Sequence, residues 1–420
     1  MVTVGHRGGL LIFLETRSDL SVRKTPFMAI YFIPLLICLV SAVSYQLSDS
    51  RRWAIAVCVL LCVFYCFGFM TGSDWRTYEY WYDNLDFNRF FYGYLNEPGY
   101  YLYMMIFKKA CVPFWLFFIL TKSLLFIIIY KSLFDYSKES GWLSLMYYLP
   151  WFGLYFFIDN PMRNCIAVGL FMLSVKYVIS REFWKFLLMI LLAASFHFTA
   201  LFVIPLYPVL TRDIRKWVYF MLFVVINVLF LNRDLLINGL TCMFGFIPYY
   251  QSKIVTYFLF DSPFAQGKLF SFGMIWQTGL FFLILFYKER IVEQIGGVKG
   301  QFTFNAAMVY FLLVRFTMSM EMFMRLQLYF SVFVCICIGL VILSFEWRSR
   351  LIYLCILFMV SSYVCMDRVT GSARYIPYSN ILEYAVKGDF PSFSKRYYYN
   401  LKHSPYAKEI DVPEKTSTIH

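Results

Sequence analysis

Residues 184–210 read WKFLLMILLAASFHFTALFVIPLYPVL, an apolar run of hybrid character. It is longer than one membrane crossing needs, it holds a histidine near its middle, and basic residues lie close to both ends. Arg181 stands before it, Lys185 is its second residue, and Arg212, Arg215 and Lys216 follow. A bilayer-spanning helix takes about 20 mainly apolar residues, and cytoplasmic loops collect Lys and Arg. If both ends face the cytoplasm, the run is a helical hairpin with arms of about 12 residues, each about 18 Å long at 1.5 Å per residue. Its tip then falls at Ser195–Thr199. A single span would instead invert every downstream element. The charge distribution favours the hairpin, whose irregular turn must be covered by protein or water.

Working outward, apolar runs recur at 27–46, 53–70, 113–130, 141–158, 162–180, 217–231, 269–287, 302–320, 324–345 and 350–366. Short loops carrying Arg51/Arg52, Lys131/Lys138, Lys288/Arg290/Lys299 and Arg348/Arg350 join the basic ends of 184–210 on one side. The loops at 71–112, 159–163, 232–268 and 320–324 fall on the other, with the amino terminus. The expected fold is an all-α multi-pass membrane protein of about ten transmembrane helices plus the re-entrant hairpin. Residues 1–27 read as an extended leader ahead of a start at Met28, 28–366 as the polytopic domain, and 367–420 as a polar tail disordered from about Glu409.

Composition agrees. Of 420 residues, 60% are hydrophobic and 15% charged, against about 25% charged in soluble domains. A single-anchor protein, a secreted disulfide scaffold and a disordered chain are excluded. The 11 cysteines lie almost entirely in apolar runs and read as small hydrophobes, not as a disulfide framework or metal cluster. The net charge of +13 comes from topology signals or from a basic cavity suited to an anionic headgroup. No separate basic domain suggests nucleic acid as a partner.

Chemistry concentrates in the loops opposite the basic side. After the second run comes Thr71-Gly72-Ser73-Asp74-Trp75-Arg76-Thr77-Tyr78, and the same loop closes on Asn96-Glu97-Pro98-Gly99-Tyr100. Carboxylates among aromatic rings suit sugar binding or general-base work. The plainer alternative has Asp74 and Glu97 capping helices. Asp159-Asn160-Pro161-Met162-Arg163 opens the fifth run, with Pro161 in the first helical turn and Asp159 or Asn160 as the cap. Arg163 at a helix amino end needs an anionic partner, either Asp159 four residues back or a bound phosphate. His197 must be hydrogen-bonded or functional. Arg315 and Lys122, deep in apolar runs, are expected to face a cavity or a carboxylate. Arg325 stands four residues after Glu321, a plain ion-pair spacing, and four before Tyr329 on the same helix face. Tyr375-Ile376-Pro377-Tyr378 follows the last run, beside Arg368 and Arg374. Metal-binding Asp-x-Asp, P-loop, nucleophile-elbow, His-Glu-x-x-His and dinucleotide motifs are missing, so no metal or other cofactor is expected.

Six pieces in order resemble the EpsG family of Wzy-type polysaccharide polymerases. They are Gly72-Ser73-Asp74 with Tyr78, Glu97-Pro98-Gly99-Tyr100, Arg163 with Ile166-Ala167, Phe196-His197-Phe198-Thr199-Ala200, Arg325 with Tyr329-Phe330, and Tyr375-Ile376-Pro377-Tyr378. Trp75 stands where the family often has Tyr, and Asn164 where it often has Gln. The resemblance implies polymerisation of oligosaccharide repeat units on undecaprenyl diphosphate at the outer face of the bacterial inner membrane. It implies a lipid-linked glycan donor and acceptor, membrane lipid and a chain-length regulator as partners. Arg163 and Arg325 would grip the diphosphate in one shared chamber, and Asp74 or Glu97 would take the acceptor proton. His197 would be a second polar contact or proton carrier, and Tyr78, Tyr100, Arg315, Tyr329 and Tyr378 would bind substrate. The competing classes are a transporter or flippase for lipid-linked sugars and a single-transfer glycosyltransferase or ligase. A transporter often shows two related halves, which are not apparent here.

Overall fold

The computed structural model describes residues 28–86, 97–136, 138–231, 238, 241–242, 271–319, 321–370 and 372–403. The expectations for the 1–27 leader, most of the 232–268 loop and the end of the tail lie outside these residues. The helices, in chain order, are α1 Ile33–Val43, α2 Tyr45–Asp49, α3 Arg51–Cys66, α4 Trp75–Asp83 and α5 Pro98–Lys109. Next come α6 Phe114–Phe134, α7 Lys138–Tyr148, α8 Met162–Ile179, α9 Phe183–Phe196, α10 Tyr207–Leu210 and α11 Lys216–Leu231. The series ends with α12 Phe272–Phe286, α13 Lys288–Ile295, α14 Gly297–Ser319, α15 Glu321–Gln327, α16 Ser331–Leu343, α17 Trp347–Val369, α18 Ile381–Lys387 and α19 Phe393–His403. The fold is all-helical among the described residues. Among the described residues, four helical stretches, Phe114–Phe134, Met162–Ile179, Met324–Leu343 and Trp347–Val369, are long and apolar enough to cross a membrane. Five further apolar stretches of 10–17 residues accompany them.

At the centre lies α16, in which every residue from Ser331 to Ile342 is buried. It packs on α7, buried from Ser140 to Tyr148. Such all-round apolar helices belong to the interior of a bundle, whereas an outer helix needs one buried stripe. α17 is that case: it buries Leu354, Leu357, Ser361 and Cys365 at helical spacing and exposes Ile352, Met359 and Tyr363.

The basic loops converge on one end. Lys138 pairs with Asp49 at 2.7 Å, Lys299 reaches the Asp135 carbonyl, Lys288 pairs with Asp213 at 2.6 Å, and Lys216 pairs with Glu289. The described parts of the loops at 71–112, 159–163 and 320–324 meet away from these pairs, through Arg163–Glu97 and Asn164–Arg325. The run 183–210 is a hairpin: α9 stops at His197, whose extended backbone (φ −154°, ψ 116°) opens a 3₁₀ segment, Phe198–Leu206. The returning arm brings the Tyr207 ring to 5.0 Å from both Phe183 and Phe186. Both feet therefore lie at the basic end and His197 at the far one.

The described part of the polar tail, up to residue 403, is folded. Its backbone pairs antiparallel with the segment after α3, through Phe69 N–H to Ser379 O (2.9 Å), Ile381 N–H to Phe67 O (3.0 Å) and Gly72 N–H to Arg374 O (2.7 Å). α17 runs on to Val369, past the expected end of the last span.

Candidate active site

Glu97 is the hub. One oxygen, Oε1, lies 2.6 Å from Nδ1 of His197, and the other, Oε2, is ion-paired with Nη1 of Arg163. Glu97 is at the start of α5 but its side chain does not cap the helix, and neither does that of Asp74 at the start of α4. The capping alternative is thus corrected: the carboxylates are turned away from the helix ends and toward cations or a hydroxyl. The sequence around Glu97 explains how it gets there. Pro98 fits the first turn. Gly99 lets α5 approach the hairpin turn so closely that a Cβ would lie 2.2 Å from Ser195 Oγ and 3.0 Å from the Ser195 carbonyl carbon. That approach seats Glu97 beside His197.

Arg163 also corrects an expectation. Its partner is Glu97, 66 residues away, and not Asp159. Two short π-helical turns, Leu149–Gly153 and Tyr155–Asp159, precede Asn160, which takes the left-handed conformation (φ 66°). That reversal turns Asp159 toward the tail, where its Oδ2 accepts from Tyr375 at 2.5 Å. Pro161 occupies the cap position, without a side-chain hydrogen bond. The Arg163 guanidinium also lies 5.3 Å from the Trp81 ring centroid, a cation–π distance.

Arg325 joins the same end of the bundle. Its carbonyl accepts from Asn164 at 3.3 Å, next to Arg163, and its side chain is exposed. Arg325, Arg374 and Arg163 all act electrostatically on Asp74. The charges of Arg163 and Arg325, the two guanidinium groups expected to share a chamber, both favour an ionised Asp74. The Glu321 side chain of the alternative ion pair lies outside the described residues.

Asp74 accepts from Ser73 at 2.8 Å, and its backbone N–H reaches Asp159 O at 3.3 Å. Gly72, in the left-handed region (φ 83°), makes this turn possible, since a Cβ there would lie 1.8 Å from Ile158 O. Burial raises the Asp74 carboxyl above the usual range, outweighing Ser73 and the three arginines. Glu97 moves the other way. Burial would raise it, but the His197 hydrogen bond and the Arg163 charge together hold it below the usual value. An ionised Glu97 can only accept, so His197 carries its proton on Nδ1. Nε2 of His197, a residue that is 7% exposed, is itself buried and has no partner among the described residues.

Of the tyrosines, Tyr78 and Tyr100 are buried edge to face at 5.4 Å beside this cluster, and the Tyr100 hydroxyl is unpartnered among the described residues. Tyr329 bonds through its hydroxyl to Thr199 at 3.2 Å, two residues from His197. Two candidates are held elsewhere. Tyr378 donates to Phe64 O and stacks on the Phe64 ring at 4.8 Å, binding the tail to α3. Arg315 donates from Nε to Asn227 on α11. Lys122 is buried on α6 with its ammonium 5.1 Å from the Phe118 ring centroid.

Sequence reading did not anticipate buried Glu79, which is ion-paired with Arg396 and accepts from Trp115 Nε1 at 3.0 Å. A carboxylate between Tyr78 and Tyr80 carries no local sign of a partner more than 300 residues later. No group of three His, Cys, Asp or Glu side chains among the described residues is placed to hold a metal ion.

No curated protein and no solved structure matches the chain. The EpsG family profile matches residues 51–385, a stretch containing all five candidate catalytic residues. The chain belongs to the EpsG family, a family of polysaccharide polymerase-like membrane proteins.

Proposed function

We propose that the chain polymerises oligosaccharide repeat units carried on undecaprenyl diphosphate, at the outer face of the bacterial inner membrane. The observation that carries this reading is the clasp in which Glu97 holds Arg163 and His197 together, with the Arg325 backbone bonded to the neighbouring Asn164. Glycosyl transfer from a lipid diphosphate needs two things of a protein: a proton acceptor for the incoming hydroxyl and cations for the departing diphosphate. The clasp supplies both within one cluster.

In this mechanism the acceptor hydroxyl of the incoming unit attacks the anomeric carbon of the growing glycan. The new carbon–oxygen bond forms as the bond to the diphosphate oxygen breaks. The hydroxyl proton passes to Nε2 of His197. Glu97 fixes the imidazole through Nδ1 and stabilises the imidazolium that forms, as an acidic partner does in hydrolytic triads. Arg163 and Arg325 take up the negative charge gathering on the diphosphate, for which the planar guanidinium fork is suited. Asp74, whose ionised form these arginines favour, sets the spacing of those charges and receives sugar hydroxyls. Tyr78, Tyr100 and Tyr329 border the sugar path.

Chain-length ladders test the assignment. Arg163→Ala or Arg325→Ala is expected to abolish long glycan and leave single repeat units, with the protein still present in the membrane. Loss of all surface glycan would indicate transport instead. Normal ladders in either variant would remove that arginine from the mechanism.

A further inference from the structure

A second basic site adjoins the first and is used by no step above. Ser73, Arg76, Ala373, Arg374, Tyr397 and Asn400 line a cavity of about 240 Å³. It is built from three separate parts of the chain: the turn into α4, the segment after α17, and α19. Arg76 is fixed rather than loose. Its Nε donates to Tyr397 O at 3.0 Å and its Nη1 to Gly72 O at 3.2 Å, and the guanidinium lies 5.0 Å from the Trp75 ring and 5.3 Å from the Tyr397 ring. Nη2 is left over. Arg374 is held by its backbone, which accepts from Gly72 N–H, and its exposed side chain makes no hydrogen bond among the described residues. It also acts on Asp74 and Asp159, so its charge is partly balanced from behind.

Asn400 supplies the independent sign. The residue is 1% exposed, and neither its Nδ2 nor its Oδ1 has a partner among the described residues. A buried amide with all its hydrogen-bonding capacity unused costs free energy unless something fills it. Here it lines a cavity with two guanidinium groups. Burial lowers the pKa of Arg76, Tyr397 opposes that, and the charge of Arg374 adds a smaller lowering. Pockets for drug-sized ligands start at roughly 300 Å³, so the space suits one small group.

We infer that this cavity is a subsite for a single oxyanion, a carboxylate or phosphate borne by the glycan or its carrier, bound by Arg76, Arg374 and Asn400 next to the Glu97 cluster. The identity of the bearer rests on the polymerase reading, but the binding of an oxyanion does not. In such a subsite the free Nη2 of Arg76 and the Arg374 fork donate to the anion, and the Asn400 amide donates to it or to an adjoining hydroxyl.

Calorimetric titration of the full-length protein in detergent with glucuronate, inorganic phosphate and glucose tests it. Both anions are expected to bind, and glucose not. Arg374→Ala should weaken anion binding roughly ten- to hundredfold, the worth of one charge-assisted hydrogen bond. Asn400→Leu, which removes the unpaired amide at similar volume, should weaken binding while leaving the thermal midpoint equal or higher. Arg163→Ala should leave the Arg374-dependent component in place. Tighter glucuronate binding assigns the site to an acidic sugar, and tighter phosphate binding to a phosphate group. Absence of anion binding, or binding unchanged in both Arg374→Ala and Asn400→Leu, overturns the inference. A protein that binds either anion through Arg374 but makes no polymer would keep this site and remove the polymerase reading.

Discussion

At the scale of single residues, the protonation behaviour of two carboxylates separates their roles. Glu97 is held below its ordinary value, so its contribution to stability is present above the unfolded carboxylate range and disappears as pH falls through its lowered native value. Glu97→Gln is therefore expected to destabilise the protein at neutral pH, with the difference from the parent closing in acid. Asp74 is raised by burial, so the native state binds the proton more tightly than the unfolded chain and stability declines as pH rises across that window. Asp74→Asn should leave the protein at least as stable at pH 7. Thermal midpoints measured from pH 3 to 8 decide both, and curves of the same sign would refute the assignment. In activity, Glu97→Gln and His197→Asn should each lower the polymerisation rate about 10²- to 10⁴-fold, the range for general-base catalysis, and the double variant little further. Most of these residues were legible in the sequence, because a charged or polar side chain in an apolar run, or among turn signals, stands out. Their pairing was not. Spacing pointed from Arg163 to Asp159, and a left-handed Asn160 redirects Asp159 to Tyr375.

Among the elements, the hairpin was legible because charge sets the side on which each end must lie, independently of side-chain detail. Its job was less so. The turn at His197 meets the amino end of α5 at Gly99, and Gly99→Ala forces these two elements apart. Overpacking of this kind costs about 1–3 kcal/mol, too little to prevent folding of a large helical bundle. The expected phenotype is a protein present at near-normal levels that makes only single repeat units, because Glu97 no longer reaches His197. Normal ladders from Gly99→Ala would show that the close approach is dispensable. The helices themselves followed the apolar runs closely. Helix breaks at 149–160 and the 3₁₀ arm at 198–206 did not, since apolar composition is the same whether a turn is α, 3₁₀ or π, and packing decides between them.

For the molecule as a whole, the reading of 367–420 as a polar tail missed the way its described part, 372–403, closes over the loop after α3. The tail meets this loop and its flanking helices through a β-bridge between Gly68 and Asn380, the Tyr378–Phe64 stack on α3, and the Glu79–Arg396 pair on α4. Glu79 is 3% exposed, so Arg396→Ala leaves an uncompensated charge. Breaking such a pair from one side costs about 3–5 kcal/mol, whereas replacing both partners by neutral residues is far milder. Arg396→Met should thus lower the thermal midpoint clearly, and Glu79→Gln with Arg396→Met should recover most of it. Equal losses in the single and double variants would mean that the pair is not what fastens the tail. These contacts join residues about 300 apart, and no local pattern in a single sequence announces them. The same seam bears on biosynthesis. The ribosome makes the loop before its cover, so Gly72 lacks its Arg374 acceptor and Glu79 its counterion until residues 374 and 396 have been added. This stretch therefore reaches its final packing only after the helices between them have been synthesised.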